Sequence, residues 1–212
     1  MVPSGLPCAD IGSDHGLLVK ELIETNKVPL AYASDNKKGP FLNLSTNLDS
    51  FIKEGKIEVA LKDGLDDLPS KYETIIITGM GGDLIKDILE VNFDKVEKVS
   101  YLLLGPHGKE KELREFLTSK NFEIVDENVL FEGHYYDVIL FKKTSKNIKL
   151  SDFECEYGPI NLKKKDPTFK KKYLDLIKSN KEILVNPRLN EERRNEIQNI
   201  ISKHEEMLKK IF

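Results

Sequence analysis

A chain of 212 residues, 39% hydrophobic and 33% charged, has the length for one sizeable domain with a small appendage. No apolar run approaches membrane-spanning length, and the start, Met-Val-Pro-Ser-Gly, lacks a charged-then-apolar leader, so a cytoplasmic protein without membrane contact is expected. The formal charge of −3 argues against an obligate nucleic-acid binder, yet residues 142–212 hold 18 Lys and Arg against 11 Asp and Glu, leaving 15 against 25 in the first 141.

An acidic body with a basic tail makes a polyanionic partner an expectation, and a helical tail with merely solvated charges is the plain alternative. The two cysteines, Cys8 and Cys155, are few and far apart, and Cys8 reads as a buried thiol on the first strand, so no disulfide is expected; no Cys/His cluster has metal-ligand spacing, so no metal is expected.

In chain order, Ala9-Asp10-Ile11-Gly12-Ser13-Asp14-His15-Gly16 reads as a buried strand running into a loop that opens a helix over Leu17 to Thr25. Ligands of open α/β sheets sit at such strand ends, and Gly12 lets backbone approach a ligand closely. The dinucleotide pattern Gly-x-Gly-x-x-Gly would need glycine where Asp14 stands, so the loop fits the amino-acid end of S-adenosylmethionine better than a pyrophosphate. An ordinary strand-to-helix turn is the plain alternative.

A second strand, Pro29 to Asp35, leads to a helix from about Lys38 to Lys53. A third, Ile57 to Leu61, is closed by Lys62-Asp63-Gly64. The β-branched run Thr74 to Thr78 reads as a central strand covered on both faces and ends in Gly79-Met80-Gly81-Gly82, with a helix over Asp83 to Leu89. Val99 to Leu104 is a fifth strand, ending in Gly105-Pro106-His107, and a helix follows over Glu110 to Ser119. Phe122 to Phe131 and Tyr135 to Lys142 are joined only by a short turn and so pair antiparallel.

Strands alternating with helices, then one hairpin, predict a Rossmann-like class I methyltransferase sheet over residues 1–143, parallel but for one antiparallel hairpin strand. Residues 144–161 lack periodicity and read as a linker. Residues 162–212 read as a basic antiparallel two-helix coiled coil, with helices over Pro167 to Leu184 and Asn190 to Ile211 separated at Asn186-Pro187.

Asp10, Asp35 and Asp63 close strands one, two and three. An acid after strand two is placed to accept from both ribose hydroxyls, and Asp63 suits the exocyclic amine of an adenine. One such acid is commonplace in turns; three beside a glycine loop point to an adenosine-containing cofactor. After strand four, nothing in Thr78-Gly79-Met80-Gly81-Gly82 accepts a proton, and the glycines leave room for a planar group. That suits a ring nitrogen with a free lone pair; tight packing of the helix start is the other reading of Gly81-Gly82.

Asp-Ile-Gly-Ser-Asp-His-Gly at 10–16, Ser34-Asp35 with Lys38-Gly39-Pro40, Asp63-Gly64-Leu65 and Thr78-Gly79-Met80-Gly81-Gly82 together resemble the bacterial tRNA (adenine-22-N1)-methyltransferase family over essentially the whole chain. The resemblance implies methyl transfer from S-adenosylmethionine to N1 of an adenine in the D-arm of tRNA, by direct displacement after base extrusion. Two departures are visible. The family usually has a helix before the first strand, and its fifth strand usually ends Gln-Pro-Asn where this chain has Gly105-Pro106-His107.

The residues expected at the cofactor are Asp10, Ile11, Gly12, Ser13, His15 and Gly16 in the first loop, and Asp35 and Asn36 after strand two. Lys62, Asp63 and Gly64 after strand three and Thr78, Gly79, Met80 and Gly81 after strand four complete the set. Asp14 is the first candidate for holding the amine and the developing charge, while His15 is more often a loop brace than a base. His107 and Tyr135 are further catalytic candidates; Tyr135 or Tyr136 could stack on the base, and strand alternation turns one of the two toward the core. Lys163, Lys164, Lys165, Lys170, Lys171 and Lys172, read as the start of the first tail helix where the dipole disfavours them, are expected to dock tRNA phosphates. A monomer is the expected state. A methyltransferase acting on another RNA, a protein or a small molecule, or a non-catalytic S-adenosylmethionine-binding RNA-binding module, remains the rival reading.

Overall fold

The computed structural model describes all 212 residues. The β-branched run forms β4 (Thr74–Gly81) at the centre of a seven-stranded sheet of order β3-β2-β1-β4-β5-β7-β6. Its neighbours are β1 (Cys8–Ile11) and β5 (Tyr101–His107), and β2 (Ala31–Asp35) and β3 (Ile57–Leu61) follow beyond β1, all parallel to it. β6 (Phe122–Glu132) and β7 (His134–Lys143) form the hairpin, with β7 inserted antiparallel beside β5.

Alternation along β4 builds two cores. Ile75 and Ile77 face α4 (Gly82–Val91) and α6 (Glu110–Ser119), meeting Ile85, Leu89, Leu113 and Leu117. Ile76 faces the other way, among Val19 and Leu22 of α1 (Leu17–Glu24) and Leu44 of α2 (Lys38–Asn47). Strand order reverses between β1 and β4, so a crevice opens at their carboxyl ends.

Three expectations change. The helix expected over 38–53 is two, α2 and α3 (Asp49–Lys53), broken at Leu48, which is fully buried beside Leu44. β4 and β5 run on to Gly81 and His107, β4 with a register shift between Thr78 and Met80. The stretch read as a linker contains α7 (Asp152–Tyr157) and the first half of α8 (Pro159–Lys164), after the short α5 (Phe93–Val96) earlier in the chain. Six residues are too few to show a period, but the Ser151–Glu154 capping box and the Gly158-Pro159 helix start mark these helices in the sequence.

These two helices fasten the tail. Arg114 of α6 is buried, donating through Nε to Glu127 of β6 at 2.8 Å and through a terminal nitrogen to the Cys155 carbonyl at the end of α7 at 2.9 Å. Glu127, also buried, accepts from the Ile160 N–H at the start of α8 at 2.9 Å. One ion pair thus meets the carbonyl end of one helix and the N–H end of the next. The tail hairpin, α9 (Pro167–Leu184) and α10 (Glu191–Ile211), is seamed by Ile177, Ile197 and Ile201. Its base is not free: Phe169, Tyr173 and Met207 bury themselves with Val129, Tyr157 and Leu162.

Candidate active site

The first loop is shaped by its backbone. Gly12 has φ +74°, and a β-carbon there would stand 2.1 Å from the Met80 methyl, so Met80 and Gly12 are packed in direct contact. The N–H groups of Gly12 and Ser13 both donate to the Ser34 carbonyl, at 2.8 and 2.9 Å, which pins the loop to the end of β2. Ser13 Oγ donates to Asp10 at 2.5 Å. Burial pushes the Asp10 carboxyl up to about 6, and the Ser13 hydrogen bond opposes that shift. Asp14 follows in the left-handed region at φ 48°, exposed, with His15 Nε2 at 3.5 Å. His15 is exposed too, and its carbonyl accepts from Asn47 of α2 at 3.1 Å, which braces the loop. Gly16 caps α1 rather than meeting the crevice, because a β-carbon there would strike Leu48.

The second and third strand ends are tied to each other. Asn36 donates to Asp63 at 3.1 Å, and Asp35 Oδ1 accepts the Lys37 N–H at 2.8 Å, leaving Asp35 Oδ2 without an intramolecular partner. Lys62 turns its ammonium to Asp67 at 2.5 Å.

Between these turns and β4 lies a cavity of about 430 Å³. Eleven of the residues expected at the site line it: Ile11, Gly12 and Asp14, then Asp35, Asn36, Lys62, Asp63 and Gly64, then Thr78, Gly79 and Met80. Asp10, Ser13 and His15 line a smaller hollow of about 220 Å³ across the same loop, sharing Gly12, Asp14 and Thr78 with the larger one. Leu84 and Ile88, one turn apart on α4, form an apolar wall that sequence reasoning missed. Leu84 lies on the exposed side of its helix, and an apolar pair at that spacing off the core stripe was the available signal.

The glycines after β4 divide in role. Gly79 and Gly81 face open space. Gly82 does not: a β-carbon there would stand 2.3 Å from the Gly108 carbonyl, so this glycine serves packing of the helix start.

Two groups of expected residues stand elsewhere. Tyr135 points away from the cavity: its hydroxyl donates to Asp175 of α9 at 2.5 Å, and its ring packs on Phe131. Strand alternation turns Tyr136 to the opposite face, where its ring meets His107. The six lysines do not share one helix start. Lys163 and Lys164 lie in the last turn of α8, where the dipole favours them, and Lys165 ends that helix at φ 54°. Lys164 is held by Asp126 at 2.5 Å, Lys171 by Asp175 at 2.7 Å, and Lys172 by Asp137. Lys163, Lys165 and Lys170 have no carboxylate within ion-pair reach; Lys170 lies over the Phe212 ring. No helix is long and apolar enough to cross a membrane.

The family model described as tRNA (adenine(22)-N(1))-methyltransferase matches residues 8–207. The chain belongs to this family. Its reaction is methylation of adenine 22 of tRNA at N1, with S-adenosylmethionine as donor. The tRNA (adenine(22)-N(1))-methyltransferase of Bacillus subtilis is 31% identical over 178 residues, covering 81% of this chain and 75% of that one. The crystal structure of Streptococcus pneumoniae Sp1610 superposes with a TM-score of 0.89 at 31% identity, covering 98% of this chain and 95% of that one. A second structure of that protein, in complex with S-adenosyl-L-methionine, gives 0.88 at 30% identity over 98% and 94% of the two chains. M. capricolum TrmK in complex with S-adenosyl-homocysteine gives 0.86 at 27% identity over 100% and 95%.

The residues present suit such a donor. Its sulfonium and ammonium are positive, and Asp14, Asp35 and Asp63 line the large cavity. Asp35 keeps a free carboxylate oxygen for a hydroxyl, and Leu84 with Ile88 offers an apolar wall to a flat base.

Proposed function

We propose that the family reaction is carried by the following residues of this chain. Asp35 accepts from the donor's ribose hydroxyls, and Asp63, steadied by Asn36, accepts from its adenine amine; the free oxygen of Asp35 supports the first assignment. The Gly12–His15 loop wraps the amino-acid end, with Asp10 beneath it. Thr78, Gly79 and Met80 form the floor.

When bound, S-adenosylmethionine would supply an electrophilic methyl group on a sulfonium: as the N1–methyl bond forms the sulfur–methyl bond breaks, the electron pair leaves with the neutral thioether S-adenosyl-homocysteine, and the purine is left positively charged. No base is needed, so the protein's work is alignment, exclusion of water and stabilisation of that charge. Asp14 stands between the two hollows, on the loop both share, which supports its assignment to the target adenine's amine and developing charge.

The tail docks tRNA phosphates through Lys163, Lys165 and Lys170, whose ammonium groups no carboxylate claims, while Lys164 and Lys172, through Asp126 and Asp137, and Lys171, through the Tyr135 hydroxyl, hold the tail in place. The protein acts as a monomer, in the cytoplasm where tRNA is modified. The exposed position of Asp14 on the shared loop carries the catalytic assignment. Single-turnover methylation of a tRNA transcript by Asp14→Ala tests it: the expected result is a rate loss of tenfold or more with donor affinity kept, and a wild-type rate rejects it.

A further inference from the structure

Four strand ends form one row beside the cavity. The β4–β5 register sets Gly81 opposite His107. The β5–β7 register pairs Leu103 with Leu140 and Leu104 with Ile139; carried three residues further, it sets His107 opposite Tyr136. Their rings meet at 5.9 Å and 70°, edge to face. β6 completes the row with Leu130 opposite Tyr136.

Side-chain alternation decides which face this row occupies. Leu103 and Leu140 are packed on the α1–α2 face of the sheet, and His107 and Tyr136, an even number of residues along each strand, share it. The Asp14 loop leads into α1 on that same face. Tyr135 and the tail lie on the opposite face.

None of these side chains has a structural duty. Tyr136 is 37% exposed and Leu130 55%, His107 is exposed, and neither the Tyr136 hydroxyl nor the His107 ring makes a hydrogen bond. Gly81 has open space where a β-carbon would be. One residue before it, Met80 lines the donor cavity. An exposed aromatic ring, propped on edge by His107 and separated from a reaction cavity by that prop and a bare glycine, is a platform for a flat group.

We propose that Tyr136, propped by His107, is the platform on which the extruded target adenine stacks, its reacting edge passing over Gly81 toward the cavity. The proposal rests on the adenine-N1 reading of the reaction. Stacking accounts for capture of an extruded base without sequence readout. Because the purine becomes positive as the N1–methyl bond forms, the electron-rich ring face holds it more tightly in the transition state than before. Tyr136 therefore acts on the rate as well as on tRNA affinity.

The test compares Tyr136→Leu, Tyr136→Phe and wild type in single-turnover methylation at saturating tRNA, with calorimetric titration of S-adenosylmethionine as the check on folding. Stacking by alanine replacement is worth roughly a 10- to 100-fold change. A loss of that size is expected for Tyr136→Leu, with donor affinity within twofold of wild type, and Tyr136→Phe is expected within about threefold of wild type in rate. A wild-type rate for Tyr136→Leu overturns the proposal, as does an equal loss in Tyr136→Phe, which would put the role on the hydroxyl. Absence of 1-methyladenosine from the wild-type reaction overturns both the proposal and the reading beneath it, and is recognised by failing before any variant is compared.

Discussion

At the carboxyl ends of β1 to β3, Asp14, Asp35 and Asp63 each stand on a turn with a single intramolecular partner: His15, the Lys37 N–H and Asn36. Where the tail meets α6 and the hairpin, Arg114, Glu127, Asp126, Asp137, Lys164 and Lys172 are consumed by one another and by helix ends. Both regions are rich in charge, and they use it differently. A carboxylate with spare acceptor capacity at a cavity is available to a ligand; a charge whose partners are all intramolecular is structural, whatever its count in the sequence suggests.

The comparison breaks most visibly at Glu127. Replacing it with alanine leaves Arg114 buried without its counter-charge and the Ile160 N–H without its acceptor. A loss of about 3–5 kcal/mol in urea unfolding is expected, the range for removing one member of a buried pair. The double variant Arg114→Met with Glu127→Leu should recover part of it. A loss of less than about 1 kcal/mol in the single variant would mean that the junction is solvated and the contrast with the cavity rim false.

The lysines sharpen the contrast within the tail itself. Reversing Lys163, Lys165 and Lys170 to Glu should weaken tRNA binding about 100-fold and flatten the slope of log affinity against log salt by about three, one for each phosphate that is no longer neutralised. Stability should barely move, since none of the three holds a carboxylate. Reversing Lys164 and Lys172 should do the opposite: each would face Asp126 or Asp137 with like charge, and unfolding at lower denaturant is expected. Equal salt slopes for the first variant and wild type would remove these lysines from the RNA interface.

Those lysines also mark where the sequence could be read and where it could not. The strand ends are legible because short apolar runs close on an acid at Asp10, Asp35 and Asp63, with a glycine beside the first and third, a local signal that survives folding unchanged. Eleven of the expected residues do line one cavity. The pairing of Lys164 and Lys172 is not legible in the sequence, because their partners, Asp126 and Asp137, lie on the hairpin, more than thirty residues away along the chain. The same holds for Tyr135 against Tyr136. Alternation requires the two to diverge, but only the docking of α9 on one face decides which is left exposed. Short helices α7 and α8 were invisible to periodicity and legible only through their caps.

At the cavity rim, Asp35→Asn isolates the charge. The amide oxygen can still accept the Lys37 N–H, so the turn is kept, while the carboxylate's bond to a ribose hydroxyl is lost. Donor affinity should fall by about 2 kcal/mol, roughly 30-fold, in calorimetry. An unchanged affinity would take Asp35 out of the cofactor site and leave the spare oxygen unexplained.

The smallest effect concerns Asp10, the one carboxylate of the first loop that is buried rather than exposed. Burial raises its carboxyl from 3.8 to about 6, so the folded state holds the proton more tightly than the unfolded chain does. The sign follows: the stability this group contributes is fully present below pH 3.8 and is lost as pH rises through about 6. Between about pH 5 and about pH 7.5 the loss should be on the order of 1.4 kcal/mol. Other carboxylates shift the other way, Asp67 and Asp175 being lowered by Lys62 and Lys171, so the wild-type profile alone does not isolate Asp10. The variant Asp10→Asn does, since its amide oxygen still accepts from Ser13 and carries no proton equilibrium. Measured against wild type by urea unfolding, Asp10→Asn should gain about 1.4 kcal/mol on going from the lower pH to the higher, through this group alone. A difference that stays constant across that range would mean that Asp10 is ionised throughout in the folded protein, and the contrast between a buried acid beneath the loop and exposed acids around it would then carry no energetic consequence.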